Sequence, residues 1–123
     1  MPDYIPVFKP GEDLTVTAGA AVTGGRLVEV TAPSTVEETS AAAAGWLGVA
    51  TTDAAIGAML TVTSGGVQEV TVDAAVTAGD VVIPAAAGRV TPIGAGTDYA
   101  QVVGVALTAQ ATVGSTCRVR FAR

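Results

Sequence analysis

Apolar and polar residues alternate along most of the chain. β-branched residues occupy every second position in several segments bounded by Gly, Pro or Asp, including DLTVTAG, GRLVEVTA, MLTVTSG, VQEVTVDA, GDVVIPA and TCRVRFAR. A period of two is typical of strands with one buried face. The pattern therefore predicts an all-β protein.

The stretch TVTSGGVQEVTV has the clearest hairpin pattern. Two alternating runs flank Ser64, Gly65 and Gly66, and glycine adopts the positive φ of a tight turn at no steric cost. We predict that these two runs pair with each other. Helical patterns are weaker. The Ala-rich stretch TSAAAAGWLG is predicted as one short helical turn or a loop, and TPIGAGTDYAQ as a loop.

The chain contains an internal repeat. AAVTGGRLVEV, from Ala20, matches AAVTAGDVVIP, from Ala74, and LGVATTDAAIGAMLTV, from Leu47, matches VGVALTAQATVGSTCRV, from Val103. The order is the same in both halves, and glycines recur in pairs: Gly48 with Gly104, and Gly57 with Gly114. Chance similarity in a chain rich in Ala, Val, Thr and Gly is the alternative. We predict two similar β units, residues 18–70 and 71–123, which together form a single domain as a small β-barrel or sandwich.

Residues 1–17 precede the repeat and are predicted to form an extended N-terminal arm. Proline fixes φ and removes an N–H donor, so Pro2, Pro6 and Pro10 exclude a helix or a central strand. The arm either lies across a partner as an added strand or packs on its own domain and covers a sheet edge. Its apolar side chains are Tyr4, Ile5, Val7 and Phe8.

Composition narrows the function classes. Of 123 residues, 50% are hydrophobic but only 4% are aromatic, so the core is built from small side chains and is expected to depend on neighbouring subunits. The net charge of −5 argues against a nucleic-acid partner, which requires a basic surface. Polar residues interrupt every apolar stretch, so we expect no membrane-spanning segment. No signal peptide is recognisable, which suggests synthesis in a reducing cytoplasm.

Catalytic chemistry has few candidates in this sequence. The chain has no histidine, one cysteine (Cys117) and one lysine (Lys9), which excludes His-based catalysis and Cys-type zinc sites. The acidic residues are scattered, and Asp73 and Asp80 are interpreted as turn formers. We expect no enzyme activity, no metal, no cofactor and no small-molecule substrate. A small-ligand site in a barrel mouth stays the less favoured alternative.

The C-terminal segment TCRVRFAR carries an unusual charge pattern. Three of the six basic residues lie in the last six positions. In a strand, Arg118 and Arg120 would share one face, and Cys117, Val119 and Phe121 the other. The arginines either shield a solvated sheet edge or pair with carboxylates of a partner. The residues expected to bind a partner are Tyr4, Ile5, Val7, Phe8, Trp46, Arg118, Arg120 and Arg123.

The second repeat resembles the phage capsid-decoration proteins, also called head-decoration or capsid cement proteins. The resemblance rests on VTAGDVV at Val76–Val82, GVA at Gly104–Ala106 and a closing strand after Gly114. It covers residues 14–123. The first copy departs from this pattern, because it has TGGRLV where the second has TAGDVV.

This resemblance implies a β-rich homotrimer on the outer surface of an icosahedral phage head. Its partner would be the major capsid protein, whose subunits it would bridge and so stabilise, and it would have no catalytic residues and no cofactor. It would be made in the host cytoplasm and then join the virion. Another virion role, as a head-fibre or tail adaptor, is the alternative.

Overall fold

The computed structural model describes residues 13–41 and 43–123, and these form an all-β structure, as the alternating pattern predicts. Besides strands, the described residues include two single 3₁₀ turns, Ala86–Gly88 and Tyr99–Gln101. The ten strands are β1 (Leu14–Ala18), β2 (Leu27–Ala32), β3 (Thr35–Glu38), β4 (Trp46–Ala50), β5 (Met59–Thr63), β6 (Val67–Thr71), β7 (Val81–Ala85), β8 (Arg89–Pro92), β9 (Gly104–Ala106) and β10 (Thr116–Phe121).

The first five strands form a closed barrel in the order β1-β3-β2-β4-β5. Closure comes from β1, which pairs antiparallel with β5 and parallel with β3. Because a closed barrel has no free edge, its strands offer no row of unpaired N–H and C=O groups to another chain. This first unit begins at Leu14, so residues 14–17, predicted as part of the arm, lie in the barrel.

The last five strands form a second sheet in the order β6-β10-β9-β7-β8. Its outer strands meet at a parallel bridge between Val72 and Val90, and the N–H of Asp73 donates to the Val90 carbonyl over 2.8 Å. The equivalent contact in the first unit joins Ala18 to Val36. The second unit therefore repeats the strand order of the first.

Hydrogen bonds outside the strands recur in the two units. Val22 exchanges two backbone hydrogen bonds with Ala54, and Val76 exchanges two with Gln110. The N–H of Gly25 donates to the Ala50 carbonyl, and the N–H of Gly79 donates to that of Ala106, both over 2.8 Å. The two β units thus have the same geometry, and each forms its own sheet. The boundary between them lies before β6 and not at residue 70 as predicted, because β6 belongs to the second sheet.

The hydrophobic residues form two clusters rather than one. The core of the first barrel contains Ala18, Val22, Val28, Val36, Ala50, Leu60 and Val62. The second cluster fills the second unit and also includes three residues of the first unit, Leu27, Trp46 and Val49. These three side chains therefore form the apolar part of the junction between the units.

The predicted hairpin around Ser64, Gly65 and Gly66 is wrong. β5 pairs with β1 and β4, whereas β6 pairs with β10. Both glycines have positive φ, 71° and 60°, as a tight turn requires. The turn connects the two units instead. The N–H of Gly65 donates to the Arg123 carbonyl, so the turn lies beside the end of β10.

Up to Gly45, the described residues of the Ala-rich stretch form a loop, one of the two structures predicted for it, whereas its last three residues, 46–48, begin β4. TPIGAGTDYAQ is a loop only in part, because Thr91 and Pro92 end β8 and Tyr99–Gln101 forms a 3₁₀ turn. The predicted arm residues 1–12 lie outside the described residues.

Candidate partner-binding surfaces

The C-terminal strand β10 presents its arginines to solvent. Cys117, Val119 and Phe121 are buried, while Arg118 and Arg120 are exposed, so the predicted division into two faces is confirmed. Nε of Arg118 lies 3.3 Å from Oε1 of Glu69 on the neighbouring strand, in a pair whose side chains are both more than 60% exposed. Among the described residues, Arg120 forms no salt bridge.

The interpretation of this strand as a sheet edge is wrong. β10 lies between β6 and β9 and is paired on both sides. Its arginines therefore do not protect an open strand. They form a charged surface over the middle of the sheet, where the guanidinium of Arg120 faces no carboxylate of the described residues.

Trp46 and Arg123, both predicted to bind a partner, lie together at the junction between the units. Trp46 is 2% exposed and packs edge-to-face against Phe121, with ring centroids 5.5 Å apart. Nη2 of Arg123 donates to the carbonyls of Ala44 and Trp46. The guanidinium thus joins the C-terminus to the first unit.

Hydrogen bonds from side chains to backbone carbonyls hold the other side of the junction. The buried hydroxyl of Thr39 donates to the Ala85 carbonyl over 2.9 Å, and Nη1 of Arg26 donates to the Ala87 carbonyl over 2.7 Å. A Cβ at Gly88 would lie 2.7 Å from the Cβ of Arg26, so only glycine fits at this contact. The turn between β7 and β8 therefore packs against the first unit and is hydrogen-bonded to it.

Apart from Trp46 and Arg123, the junction residues were missed by sequence reasoning. One signal was present: Leu27 and Val28 are consecutive apolar residues in a strand, so both faces of that strand had to be covered. Val28 points into the barrel and Leu27 into the second unit. Thr39 and Arg26 gave no signal, because their acceptors are carbonyls 46 and 61 residues away.

An open depression of about 330 Å³ lies beside Arg120. It is mostly apolar, and its lining residues are Val102, Gly104, Val105, Arg120, Phe121 and Ala122.

The acidic residues act mainly in turns. Oδ2 of Asp80 accepts from the Thr77 N–H, and Oδ1 of Asp53 accepts from the Gly24 N–H. Asp73 lies 3.4 Å from Arg89 in an ion pair. Within residues 13–41 and 43–123, no three His, Cys, Asp or Glu residues come together as metal ligands. Over the same residues, no helix has the length and apolarity to cross a membrane.

The remaining residues predicted to bind a partner lie outside the described residues. They are Tyr4, Ile5, Val7 and Phe8. The candidate surfaces that the structure describes are therefore the arginine face of β10 and the depression beside it.

The structure thus consists of two sheets of the same strand order that are joined through a packed junction, with arginines exposed on the second sheet. The model of the phage cement protein family matches residues 8–121, and the chain belongs to this family. Membership supports capsid decoration and stabilisation, a capsid protein as partner, and association with the virion.

A solved structure has a similar fold. The N base of the head fiber gp8.5 of bacteriophage phi29 has a TM-score of 0.67 and 18% sequence identity, over 90% of this chain and 93% of that chain. At this identity the likeness concerns the fold alone. No curated protein sequence matches the chain.

Proposed function

We propose that this protein binds the outer surface of an icosahedral phage head and bridges adjacent subunits of the major capsid protein. The family match over residues 8–121 carries this proposal. Each copy that binds two capsid subunits stabilises the closed shell, because the shell cannot open locally without losing several contacts at once. The protein would be made in the host cytoplasm and added to the head as a homotrimer.

Two parts of the chain are proposed to make the capsid contact. The first is the N-terminal segment with its apolar residues Tyr4, Ile5, Val7 and Phe8. The second is the exposed arginine pair of β10, which can meet carboxylates of the capsid protein. Arg120 is the better candidate, because Arg118 already lies beside Glu69. Trp46 would act indirectly, by holding Arg123 and the end of β10 in place.

Co-sedimentation with cognate phage heads that lack the protein tests the proposal. The full chain should pellet with the heads to saturation and should raise the temperature at which they open. A chain lacking residues 2–10 should stay folded and fail to saturate the heads. If the full chain does not pellet with the heads, the capsid role is wrong; if the shortened chain saturates them, only the role of the arm is wrong.

A second candidate is a role as the attachment base of a head fibre. The fold likeness to the N base of the phi29 head fiber favours it. Cryo-electron microscopy of the particle distinguishes the two: a cement protein forms a regular coat on the shell, whereas a fibre base carries further density that projects from it.

A further inference from the structure

The two units differ in how their outward-facing residues are covered. Leu27 pairs with Val49 in the first unit, and Val81 pairs with Val105 in the second, in the same register. Leu27 and Val49 are 0% and 6% exposed, whereas Val105 is 42% exposed. Val102, two residues before Gly104, takes the place of Trp46, two residues before Gly48. We call Val81, Val102 and Val105 the open face.

Inward-facing residues show no such difference. Val28 and its equivalent Val82 are both fully buried, and Ala50 and Ala106 are 1% and 2% exposed. At these positions the two cores are buried to the same extent. The difference concerns the outward face of these strands. The second unit covers this face in the first unit, and no described residue covers it to the same extent in the second unit.

A matching difference is found at the hairpin turns. In the second unit, Pro84, Ala85 and Gly88 are buried, because this turn docks on the first unit. Their equivalents in the first unit are Val30, Thr31 and Ser34, since Val30 pairs with Val36 as Pro84 pairs with Val90. All three are exposed, Val30 by 50%. We call Val30, Thr31 and Ser34 the exposed tip.

We propose that the open face of one copy binds the exposed tip of a second copy. The contact inside the chain is the precedent: there, the same two kinds of surface bury each other. Within residues 13–41 and 43–123, each copy carries one uncovered surface of each kind, so the contact is head-to-tail and closes into a ring when the rotation allows. This proposal rests on the self-association proposed above and names the surfaces that mediate it.

The contact between copies differs in detail from the one inside the chain. Asp80 and Ile93 stand where the junction has Arg26 and Thr39, so the two side chains that donate to the turn between β7 and β8 have no equivalent here. Ser34 carries a Cβ where Gly88 tolerates none, so the tip must dock slightly displaced. The contact is therefore held mainly by apolar burial, and the depression beside Val105 offers room for the displaced tip.

Single charged substitutions on each surface test the proposal. Val105→Asp removes the open face and Val30→Asp the exposed tip; Val113→Asp is the control, because Val113 is 55% exposed and lies in the turn before β10. Light scattering after size-exclusion chromatography should show that the wild type and the Val113→Asp control are each oligomeric. Each single variant should have the mass of one chain, and a 1:1 mixture of the two should form a dimer through the remaining intact pair of surfaces.

Each outcome decides one point. A monomeric wild type overturns both self-association and these surfaces, whereas an oligomeric Val105→Asp or Val30→Asp overturns the surfaces alone. Two monomeric variants that do not combine overturn the head-to-tail arrangement. Circular dichroism checks folding, and Val105→Lys and Val30→Lys replace any variant that is unfolded. Head binding is measured separately, so a failed capsid role remains distinguishable.

Discussion

The guanidinium carbon of Arg123 lies 4.3 Å from the ring centroid of Trp46, which places the last residue of the chain over the first residue of β4. The same side chain donates to the carbonyl of Trp46 over 3.1 Å. A single arginine thus combines a cation–π contact with hydrogen bonds to backbone, and both join the second unit to the first.

Removal of this contact should destabilise the protein. Arg123→Ala is expected to lower the free energy of unfolding by about 1–2 kcal/mol, because it loses the cation–π contact and two hydrogen bonds from a charged donor. Chemical denaturation measures this change. Arg120→Ala is the matched control, and we expect a change within about 0.5 kcal/mol because Arg120 is exposed. Equal effects of the two substitutions would contradict the role of Arg123.

Gly48 and Gly104 should be equally intolerant of a side chain. A Cβ at Gly48 would overlap the Thr63 carbonyl oxygen, and a Cβ at Gly104 would overlap that of Arg120. Each alanine substitution is expected to cost about 3 kcal/mol or more, since backbone must move. In Gly45→Ala, the nearest atom to the new Cβ lies 4.0 Å away. In thermal melts, the melting temperature of Gly45→Ala should therefore be close to that of the wild type. A mild effect in only one of Gly48→Ala and Gly104→Ala would contradict the equivalence of the units.

The buried hydroxyl of Thr39 should stabilise the junction. Thr39→Val leaves the Ala85 carbonyl without this donor and is expected to cost about 1–3 kcal/mol. Thr35→Val is the control, because the Thr35 hydroxyl bonds only to the nearby Pro33 carbonyl. Urea denaturation compares the two. A loss at Thr35 as large as that at Thr39 would show that the hydroxyl across the junction has no special importance.

The ion pair between Arg118 and Glu69 should contribute little to stability. Both side chains are more than 60% exposed, and exposed pairs typically contribute about 0–1 kcal/mol. Glu69→Gln is expected to lower the free energy of unfolding by an amount in this range at low salt, and by less as the salt concentration increases. A double-mutant cycle with Arg118→Ala isolates the interaction. A coupling energy well above about 1 kcal/mol would indicate a pair more important than its exposure suggests.

Much of the fold could be predicted because its information is local. Alternation with a period of two identified most of the strands, although β3 was not predicted, and the paired glycines Gly48/Gly104 and Gly57/Gly114 identified the repeat. The hairpin at Gly65 and Gly66 was predicted wrongly for the same reason. A glycine turn permits the chain to reverse, but the partner of β6 is decided by β10, about 50 residues further on, with which it forms five residue pairs.

The candidate surfaces were only partly predictable. The two faces of β10 follow from alternation alone, and they are as expected. Whether that strand lies at an edge depends on its neighbours, and β9 and β6 flank it on both sides. Trp46 was predicted to bind a partner, but it is 2% exposed, and its burial against Phe121 depends on how the units pack.

By itself the sequence determined the all-β class, the two units and the inward and outward residues of most strands, since side-chain alternation and turn chemistry act over a few residues. Only the tertiary structure decided that each unit forms its own sheet and that Leu27, Trp46 and Val49 of the first are covered by the second. It also decided that the equivalent residues Val81, Val102 and Val105 are left more open. The physical reason is that burial of an outward face depends on which distant surface docks on it, and the alternation that both units share does not distinguish the covered face from the open one.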